Sequence, residues 1–541
     1  MFIMASVCAG AGYGSVFRFP YMCHLHGGSP FFIGYALALL FIGWPTLVLE
    51  LCLGQHLQAG CLKSLTKVHP CLKGLGVACI AIGSCAITAY FAVVLSWSER
   101  YIVGSTQDPI PWAGNASTAL EFFRISVVAE SKDAKTTAFN WTIFVGLTIL
   151  YTAVCISVWR GINTLQYALH VTFLPICFFL LCLTVVAVIL PGSENGLKEL
   201  FAPRAEFFSL RLWTDALGQA FLSLAVGSGT MVTHGSHNAI NHNIVKYSMI
   251  IVVVQVFIAL CCGICTYSVL GSTVIDAPHR SATKAISHGM HLPFIVYPLI
   301  LAHLPIPQFF SFIFFLWLFI LGVGAVAAPV HSLHATLRDK FTHVPPFVLS
   351  AVISVFCVVL GLPFCFGSGY YLVLTVDLVV VGICLPLHVF FECVGVGYIW
   401  GDRSVVEEVR ERGNKGLKKF RDYIVLGYQH GVAHIRELLG SVEKLNVDPY
   451  IFPALVKVVV PVTSVITGFR SIFALGQLFF DDAFPTWTLA VAIFLPCASL
   501  VLIMIFWVTA PSRAVQKPPW SNDMLNVEMQ FSKDNIVAVT T

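Results

Sequence analysis

Charged residues are scarce in this sequence. Asp, Glu, Lys and Arg make up 11% of its 541 residues, whereas 57% are hydrophobic, 43 are phenylalanine and the mean hydropathy is +0.84. A typical soluble domain carries about 25% charged residues. So little charge excludes an ordinary soluble protein and indicates one that crosses a membrane many times. The net charge of +4 is spread over short loops and indicates no nucleic-acid partner.

Sequence motifs of enzymes, metal sites and secretory signals are absent as well. The glycine-rich stretch 10–14 differs from a dinucleotide-binding loop, because no strand precedes it and no acidic residue follows about twenty positions later. No nucleophile elbow, phosphate loop, metal-ligand spacing or basic signal-peptide region occurs elsewhere. The 18 cysteines lie in or beside apolar stretches, which predicts small buried residues and not a disulfide framework. We expect neither enzymatic activity nor a cofactor.

Long apolar runs recur along almost the whole chain. About 20 apolar residues are needed to cross a bilayer as a helix. Runs of this kind, numbered here as spans one to twelve, lie at 1–23, 30–55, 74–104, 141–159, 164–190, 212–236, 244–272, 308–337, 346–364, 371–400, 450–475 and 486–510. The sequence therefore predicts an all-α polytopic membrane protein with twelve transmembrane helices.

Loop charges and glycosylation motifs predict the same orientation. The loop 56–73 has three lysines and no acidic residue, which places it and the N-terminus in the cytoplasm. The loop 105–140 is then outside, where its sequons at Asn115 and Asn140 face the glycosylation machinery. Asn140 adjoins the next span, so Asn115 is the expected glycosylation site. Twelve spans return the C-terminus to the cytoplasm, and we expect the plasma membrane as the location.

Two of the twelve spans contain glycine-rich interruptions. In span one, Gly10, Gly12 and Gly14 precede an arginine, Arg18, inside an apolar run. Each glycine costs about 1 kcal/mol of helix propensity, and an intramembrane charge is expensive unless it has a function. Unwound backbone at bilayer depth is tolerated where it lines a cavity, so residues 8–15 are the candidate binding site.

Span six repeats this pattern five spans later, with glycines in the stretch 215–230. Matching interruptions in two five-span halves are the pattern of inverted-repeat transporters, of which the LeuT type is the known example. The alternative is that the glycines only allow close helix packing. The predicted organisation is a first repeat at 1–190, a second repeat at 191–400, a charged cytoplasmic insert at 401–448, spans eleven and twelve at 449–511, and a cytoplasmic tail at 512–541.

Short motifs along nearly the whole chain resemble the neurotransmitter:sodium symporter family. They are Arg18-Phe-Pro-Tyr21 with Gly27-Gly28, Leu49-Glu50-Leu-Cys-Leu-Gly54-Gln55, Leu72-Lys73-Gly74, Leu190-Pro191-Gly192, Gly218-Gln219-Ala-Phe, Ser236-His-Asn238, His303-Leu-Pro-Ile-Pro-Gln308, Gly361-Leu-Pro363 and Phe391-Glu392-Cys393. The chain looks like a divergent member of this LeuT-like family of sodium- and chloride-dependent transporters. The resemblance implies sodium-driven uptake of amino acids or amines by alternating access, often with chloride.

The resemblance also implies two gates. Arg18 and Asp377 match the family's outer gate, and Glu50 matches the buried glutamate that braces the unwound segment. At the inner gate, Ser236, His237 and Asp339 match family positions. The arginine and tryptophan that precede span one in the family have no counterpart, because Met1 begins too late. We expect a longer open reading frame upstream, with a short N-terminus as the alternative.

Substrate positions carried over from the family favour an amino acid over a monoamine. Gly12 stands where amine transporters have an aspartate, which leaves room for a substrate carboxylate. Phe91 aligns with the family's carboxylate-binding tyrosine, and Tyr90 is expected to point elsewhere. Leu222 and Ser228 replace aromatic residues, which implies a roomier, more polar pocket. The full set implied is Ala9, Ala11, Gly12, Tyr13, Gly14, Phe91, Leu222, Ala225 and Ser228.

Ion positions are kept unevenly in this comparison. The first sodium site is partly retained as Gly10, Ser15, Ser223 and Gln255, and the chloride site as Tyr35, Gln219, Ser223 and Gln255. The second sodium site falls on Cys8, Ala11, Leu321, Gly324 and Ala325, which offer only carbonyl oxygens. A proton bound at His170 in span five could replace that ion, although a packed histidine is the simpler interpretation.

The predicted function is sodium-coupled uptake of an amino acid or a related small zwitterion. The sequence leaves open a degenerate relative: a facilitator that is sodium-independent or proton-linked, an exchanger of amino acids, or a solute sensor without uphill transport. The kept outer gate favours transport, and the depleted second sodium site favours the alternatives. The expected partners are a small solute and the lipid bilayer.

Overall fold

The computed structural model describes residues 6–7, 14–114, 116–130, 138–202, 205–239, 242–276, 294–295, 297–399, 451–480 and 484–509. Within these ranges the secondary structure is helical, and the extended pairing is a single bridge between Phe139 and Phe366. The predicted insert 401–448 and tail 512–541 lie outside the described residues.

Nine helices of the described part are long and apolar enough to cross a membrane. They are Ser29–Leu57 (span two), Pro70–Gly104 (three), Trp141–Val158 (four), Ile244–Ser272 (seven), Pro307–Lys340 (eight), Pro346–Cys365 (nine), Gly369–Tyr398 (ten), Phe452–Phe479 (eleven) and Thr488–Thr509 (twelve). Span five is the helix Ile162–Ile189. The described helices are thus consistent with twelve spans once the two interrupted ones are included.

Local sequence explains where several spans begin. Spans two, eight and nine have a proline in the first turn, where a missing N–H costs no helix hydrogen bond. Span four begins after Asn140, whose side-chain oxygen accepts hydrogen bonds from the backbone N–H groups of Thr142 and Ile143. Asn140 is therefore engaged as a helix cap, so Asn115 remains the expected sequon, although it lies outside the described residues.

The interruption predicted in span six is confirmed. The outer half, Leu210–Ser223, and the inner half, Thr230–Gly235, are joined by six residues that are not helical. Gly227 and Gly229 both have φ +74°, and a Cβ on Gly227 would lie 2.9 Å from the carbonyl oxygen of Leu385. Only glycine combines this backbone angle with such a close approach. The described part of span one begins with a π-helical turn, Gly14–Arg18, and continues as the α-helix Phe19–Leu25.

The spans differ in how deeply they are buried. Span three packs along span eight, and the inner half of span six packs along span two. The apolar window of span ten is 83% buried, whereas that of span twelve is 17% buried. Span ten and both halves of span six therefore lie inside the bundle, while span twelve lies at its surface. Outside the spans, Ser193–Phe201 bends back by 107° from the end of span five.

Candidate functional site

The described part of span one meets the outer half of span six at the centre of the bundle. The side-chain amide of Gln219 donates to the carbonyl oxygen of Gly14 at 2.7 Å and to Ser223 Oγ at 3.2 Å. Gly14 lies at the end of the predicted binding stretch, and Leu222 is beside it, because a Cβ on Gly14 would lie 3.4 Å from Leu222 Cδ2. The structure thus brings these four predicted site residues together.

Arg18 and Asp377 form a buried charge pair above this contact. Arg18 Nε lies 3.2 Å from Asp377 Oδ2, and each residue is 7% exposed. Arg18 Nη1 also donates to Gln219 Oε1 at 2.8 Å, and Tyr90 Oη donates to Asp377 Oδ1 at 3.0 Å. Spans one, three, six and ten are therefore tied together by charge-assisted hydrogen bonds, which are the stronger class in proteins.

Tyr90 has a part in this cluster that the sequence did not predict. Its hydroxyl donates a hydrogen bond to the carboxylate of Asp377. Phe91 packs edge-to-face on the Tyr90 ring at 4.7 Å and has no hydroxyl to offer. Tyr90 and Asp377 are separated by 287 positions, so no local pattern could have paired them.

A cluster of neutral polar groups lies below the Arg18–Asp377 pair. Ser15 Oγ donates to Gln255 Oε1 at 3.2 Å, and the Gln255 amide donates to the carbonyl oxygen of Val7 at 3.1 Å. The hydroxyl of Tyr35 is fully buried within reach of Ser15 and Ser223, yet it makes no hydrogen bond of good geometry within the described residues. An unused buried donor among hydroxyl and amide groups fits a small anion such as chloride, and the same oxygens fit a sodium ion.

The residues implied for the second sodium site offer no side-chain oxygen. Leu321, Gly324 and Ala325 are buried in span eight. A Cβ on Gly324 would lie 3.3 Å from Leu169 Cδ2 of span five, so this wall of the site is apolar. Sodium prefers an oxygen-rich shell, which these three positions can supply only from the backbone.

Glu50 holds the interruption of span six. Its Oε1 accepts a hydrogen bond from the backbone N–H of Gly227 at 2.6 Å. Within the interruption, Ala225 has φ +51°, and the Ser228 hydroxyl donates to the Ala225 carbonyl oxygen at 2.7 Å. The expectation that Ser228 makes the pocket more polar is therefore weakened, because its hydroxyl proton is used by the backbone.

The end of the bundle where the inner gate is expected contains a cluster of histidines. His237 lies 5.2 Å from His331 between ring centroids, and His331 has His234 at 5.9 Å and His334 at 6.3 Å. Burial lowers the pKa of His237, and the charge of Asp339 partly opposes that shift. Of these four histidines only His237 was predicted as a site residue, although the spacing of His331 and His334, three residues apart on one helix, places them on the same face.

The other residues expected at the inner gate make looser contacts. Asp339 Oδ1 lies 3.9 Å from Lys63 Nζ, a partner that was not predicted from the sequence. Ser236 Oγ donates to the carbonyl oxygen of Thr233 at 2.7 Å. No group of three His, Cys, Asp or Glu residues in the described ranges has the geometry of a metal site.

Several predicted site residues lie outside the part of the chain that the structure describes. Those that lie outside the described residues are Cys8, Ala9, Gly10, Ala11, Gly12, Tyr13 and Asn115. The helix that carries His170 is described, but the side chain of His170 is not. The roles expected for these residues remain predictions.

The chain is similar in sequence to known transporters over most of its length. A family model described as the sodium:neurotransmitter symporter family matches residues 1–118 and 113–513. The sodium- and chloride-dependent betaine transporter of Caenorhabditis elegans is 25% identical over 462 residues, which cover 78% of this chain and 76% of that protein. The creatine transporter of Torpedo marmorata is 29% identical over 444 residues, which cover 75% of this chain and 72% of that protein.

Two further similarities come from a serotonin transporter and a solved structure. The sodium-dependent serotonin transporter of Drosophila melanogaster is 29% identical over 451 residues, covering 76% of this chain and 71% of that protein. The crystal structure of MhsT in complex with L-phenylalanine matches with a TM-score of 0.67 at 18% identity, covering 87% of this chain and 97% of that one. This likeness confirms the predicted fold class.

Proposed function

Because the chain belongs to the sodium:neurotransmitter symporter family, we propose that it takes up an amino acid or a related small zwitterion by sodium-coupled alternating access. The observation that carries the proposal is the buried Arg18–Asp377 pair directly above the meeting point of spans one and six. Desolvating two charges at this depth is costly, and such a pair is kept where it has a function. Separating and re-forming the pair would open and close the outer route.

The polar cluster below the gate supports ion coupling. Ser15, Ser223 and Gln255 bring side-chain oxygens together beside the carbonyl of Gly14. The unpartnered hydroxyl of Tyr35 supports chloride as a further solute at the neighbouring position. Ions bound here would brace span one against spans six and seven, so that ion binding and gate closure favour one another.

The charges at the centre support a zwitterion as substrate. Asp377 is already engaged by Arg18 and Tyr90, and Glu50 by the Gly227 N–H. Asp377, with both carboxylate oxygens engaged, is therefore not free to bind the lone cation of a monoamine. A substrate that brings its own carboxylate needs only hydrogen-bond donors, which unwound backbone supplies.

A second candidate function is facilitated or exchange transport without sodium accumulation. The observation that favours it is the apolar wall at Gly324 and Ala325, where a second sodium ion would have to bind. Loss of that ion removes part of the driving force and leaves solute movement intact. The location in the plasma membrane, cytoplasmic termini and glycosylation at Asn115 belong to the same proposal.

Uptake into proteoliposomes tests the two candidates. A mixed panel of labelled amino acids is offered with an inward sodium gradient and again with sodium replaced by choline. The symporter accumulates its solute only with sodium, and Ser15→Ala raises the sodium concentration needed for half-maximal uptake. Equal, non-concentrative uptake in both buffers supports the facilitator, and binding without uptake supports a sensor.

A second variant tests whether the second sodium site limits coupling. Ala325→Ser adds one hydroxyl oxygen at the second sodium site with little added volume. If that site limits coupling, the variant lowers the sodium concentration needed for half-maximal uptake. An unchanged sodium dependence would show that the first site carries the coupling alone.

A further inference from the structure

The backbone of Gly227 is held on both sides. Its N–H donates to Glu50 Oε1 of span two at 2.6 Å, and its carbonyl oxygen contacts His388 Nδ1 of span ten at 2.8 Å. His388 is fully buried. None of the family positions described above includes this histidine, so its contact with the interruption of span six has no assigned role.

The hydrogen bonds of His388 fix its tautomer. A carbonyl oxygen can only accept, so Nδ1 must carry the proton that it donates to Gly227. In the neutral ring, Nε2 is then an acceptor, and it receives the hydroxyl proton of Ser499 in span twelve at 3.1 Å. Both ring nitrogens are used, which orients the imidazole completely. A line of hydrogen bonds thus runs from span two through spans six and ten to span twelve.

Steric contact reinforces the hydrogen bond. A Cβ on Gly227 would lie 2.9 Å from the carbonyl oxygen of Leu385 and 3.1 Å from Val389 Cγ2. Leu385, His388 and Val389 occupy one turn of span ten, so that turn presses directly on Gly227. The φ of +74° at Gly227 leaves its carbonyl turned out of the helical ladder, where it needs an outside donor.

We propose that His388 is a positioning residue for transport, which holds the Gly227 carbonyl and thereby sets the conformation of the interruption in span six. Ser499 keeps the imidazole in the tautomer that donates. Span ten, which also carries Asp377 of the outer gate, is in this way joined directly to the solute-binding interruption. Span twelve acquires a role in the site although it lies at the surface of the bundle. The transport part of this inference rests on the proposed function.

Two amide variants separate positioning from packing. In His388→Asn the amide nitrogen takes the place of Nδ1, whereas in His388→Gln it takes the place of Nε2. Positioning therefore predicts that Asn preserves the Gly227 contact and Gln loses it. A packing role predicts the reverse order, because glutamine is closer to histidine in size. His388→Leu removes both hydrogen bonds of the ring, so it gives the effect expected when the Gly227 contact is lost completely.

Amide hydrogen exchange of the purified protein measures the contact without any solute. Peptides that cover 224–229 should exchange about tenfold faster in His388→Gln and His388→Leu, the equivalent of one lost hydrogen bond, and at the native rate in His388→Asn. Ser499→Ala should give a smaller increase. Peptides of span eight serve as the internal reference for the exchange rates. Only variants that elute as a monodisperse peak, and are therefore folded, are compared.

Transport then tests the functional part. Uptake by His388→Asn should stay within about threefold of the native protein, whereas His388→Gln should lose about tenfold at equal amounts of folded protein. Native exchange in His388→Gln, or faster exchange in His388→Asn than in His388→Gln, overturns the positioning role. If the native protein transports nothing, the proposed function fails. The exchange rates still show whether His388 holds the Gly227 carbonyl, so the two failures can be told apart.

Discussion

The two ends of the site are closed by different kinds of contact. On the outer side, Arg18 binds Asp377 and Gln219 through side-chain hydrogen bonds of 2.8 to 3.2 Å. On the inner side, the backbone of span six lies directly on span two: a Cβ on Gly54 would be 1.9 Å from the carbonyl oxygen of Val232. The charged pair nearest to the inner end, Lys63 and Asp339, is 3.9 Å apart and half-exposed.

This difference indicates how each end opens. Side-chain contacts can be broken by rotamer changes within spans that keep their places. Backbone contact between two helices is released only when the helices themselves move apart. We therefore expect the outer end to act as a gate of charges, and the inner end as a packed joint. Substitutions should accordingly affect activity at the outer end and folding at the inner end.

Gly54→Ala should give the largest effect. The added methyl group cannot fit at 1.9 Å, so spans two and six must separate, and overpacking of this kind costs about 1–3 kcal/mol or more. We expect a large loss of monodisperse protein and a lower melting temperature, measured by fluorescence-detected size exclusion during heating.

Gly468→Ala and Gly476→Ala are matched controls for this change. A Cβ at either position of span eleven meets no atom within 4 Å. Alanine is the better helix former by about 1 kcal/mol, so these variants should be as stable as the native protein or slightly more so. If Gly54→Ala behaves like them, spans two and six are not in backbone contact.

Asp377→Asn should give the next largest effect, this time on activity. It leaves the Arg18 guanidinium without the anion that it must bind again each time the outer route closes. We expect uptake to be lost in proteoliposomes while the elution profile stays monodisperse. Glu194→Gln is the control, because it breaks a pair with Lys198 in which both side chains are more than 70% exposed. Full uptake by Asp377→Asn would contradict the gate.

Tyr90→Phe should have an intermediate effect. It removes one hydrogen bond to a charged acceptor, which is worth about 1.5–3 kcal/mol, or at least tenfold in uptake. The same change made in Asp377→Asn should matter much less, since the charged partner is gone. Equal effects in both backgrounds, measured as a double-mutant cycle, would show that Tyr90 acts independently of the gate.

The sequence predicted the parts of this site that depend on local pattern. Glycines in spans one and six, a lone Arg18 and the hydropathy of the spans can each be read from neighbouring residues. The partners that complete the site come from distant spans: Tyr90 for Asp377, Lys63 for Asp339, and His388 for Gly227. These pairings depend on helix rotation and register in the bundle, which a single sequence does not specify.

Lys63→Ala should have the smallest effect and completes the contrast between the two ends. Lys63 is 53% exposed and Asp339 33% exposed, so water and salt screen the pair, and such surface pairs contribute about 0–1 kcal/mol. We expect the melting temperature of the variant to match the native value within about 1 °C, with any difference vanishing at high salt. The joint at Gly54 then carries the stability of the inner end without help from charge. A drop as large as that of Gly54→Ala would instead place a charged gate at both ends of the site.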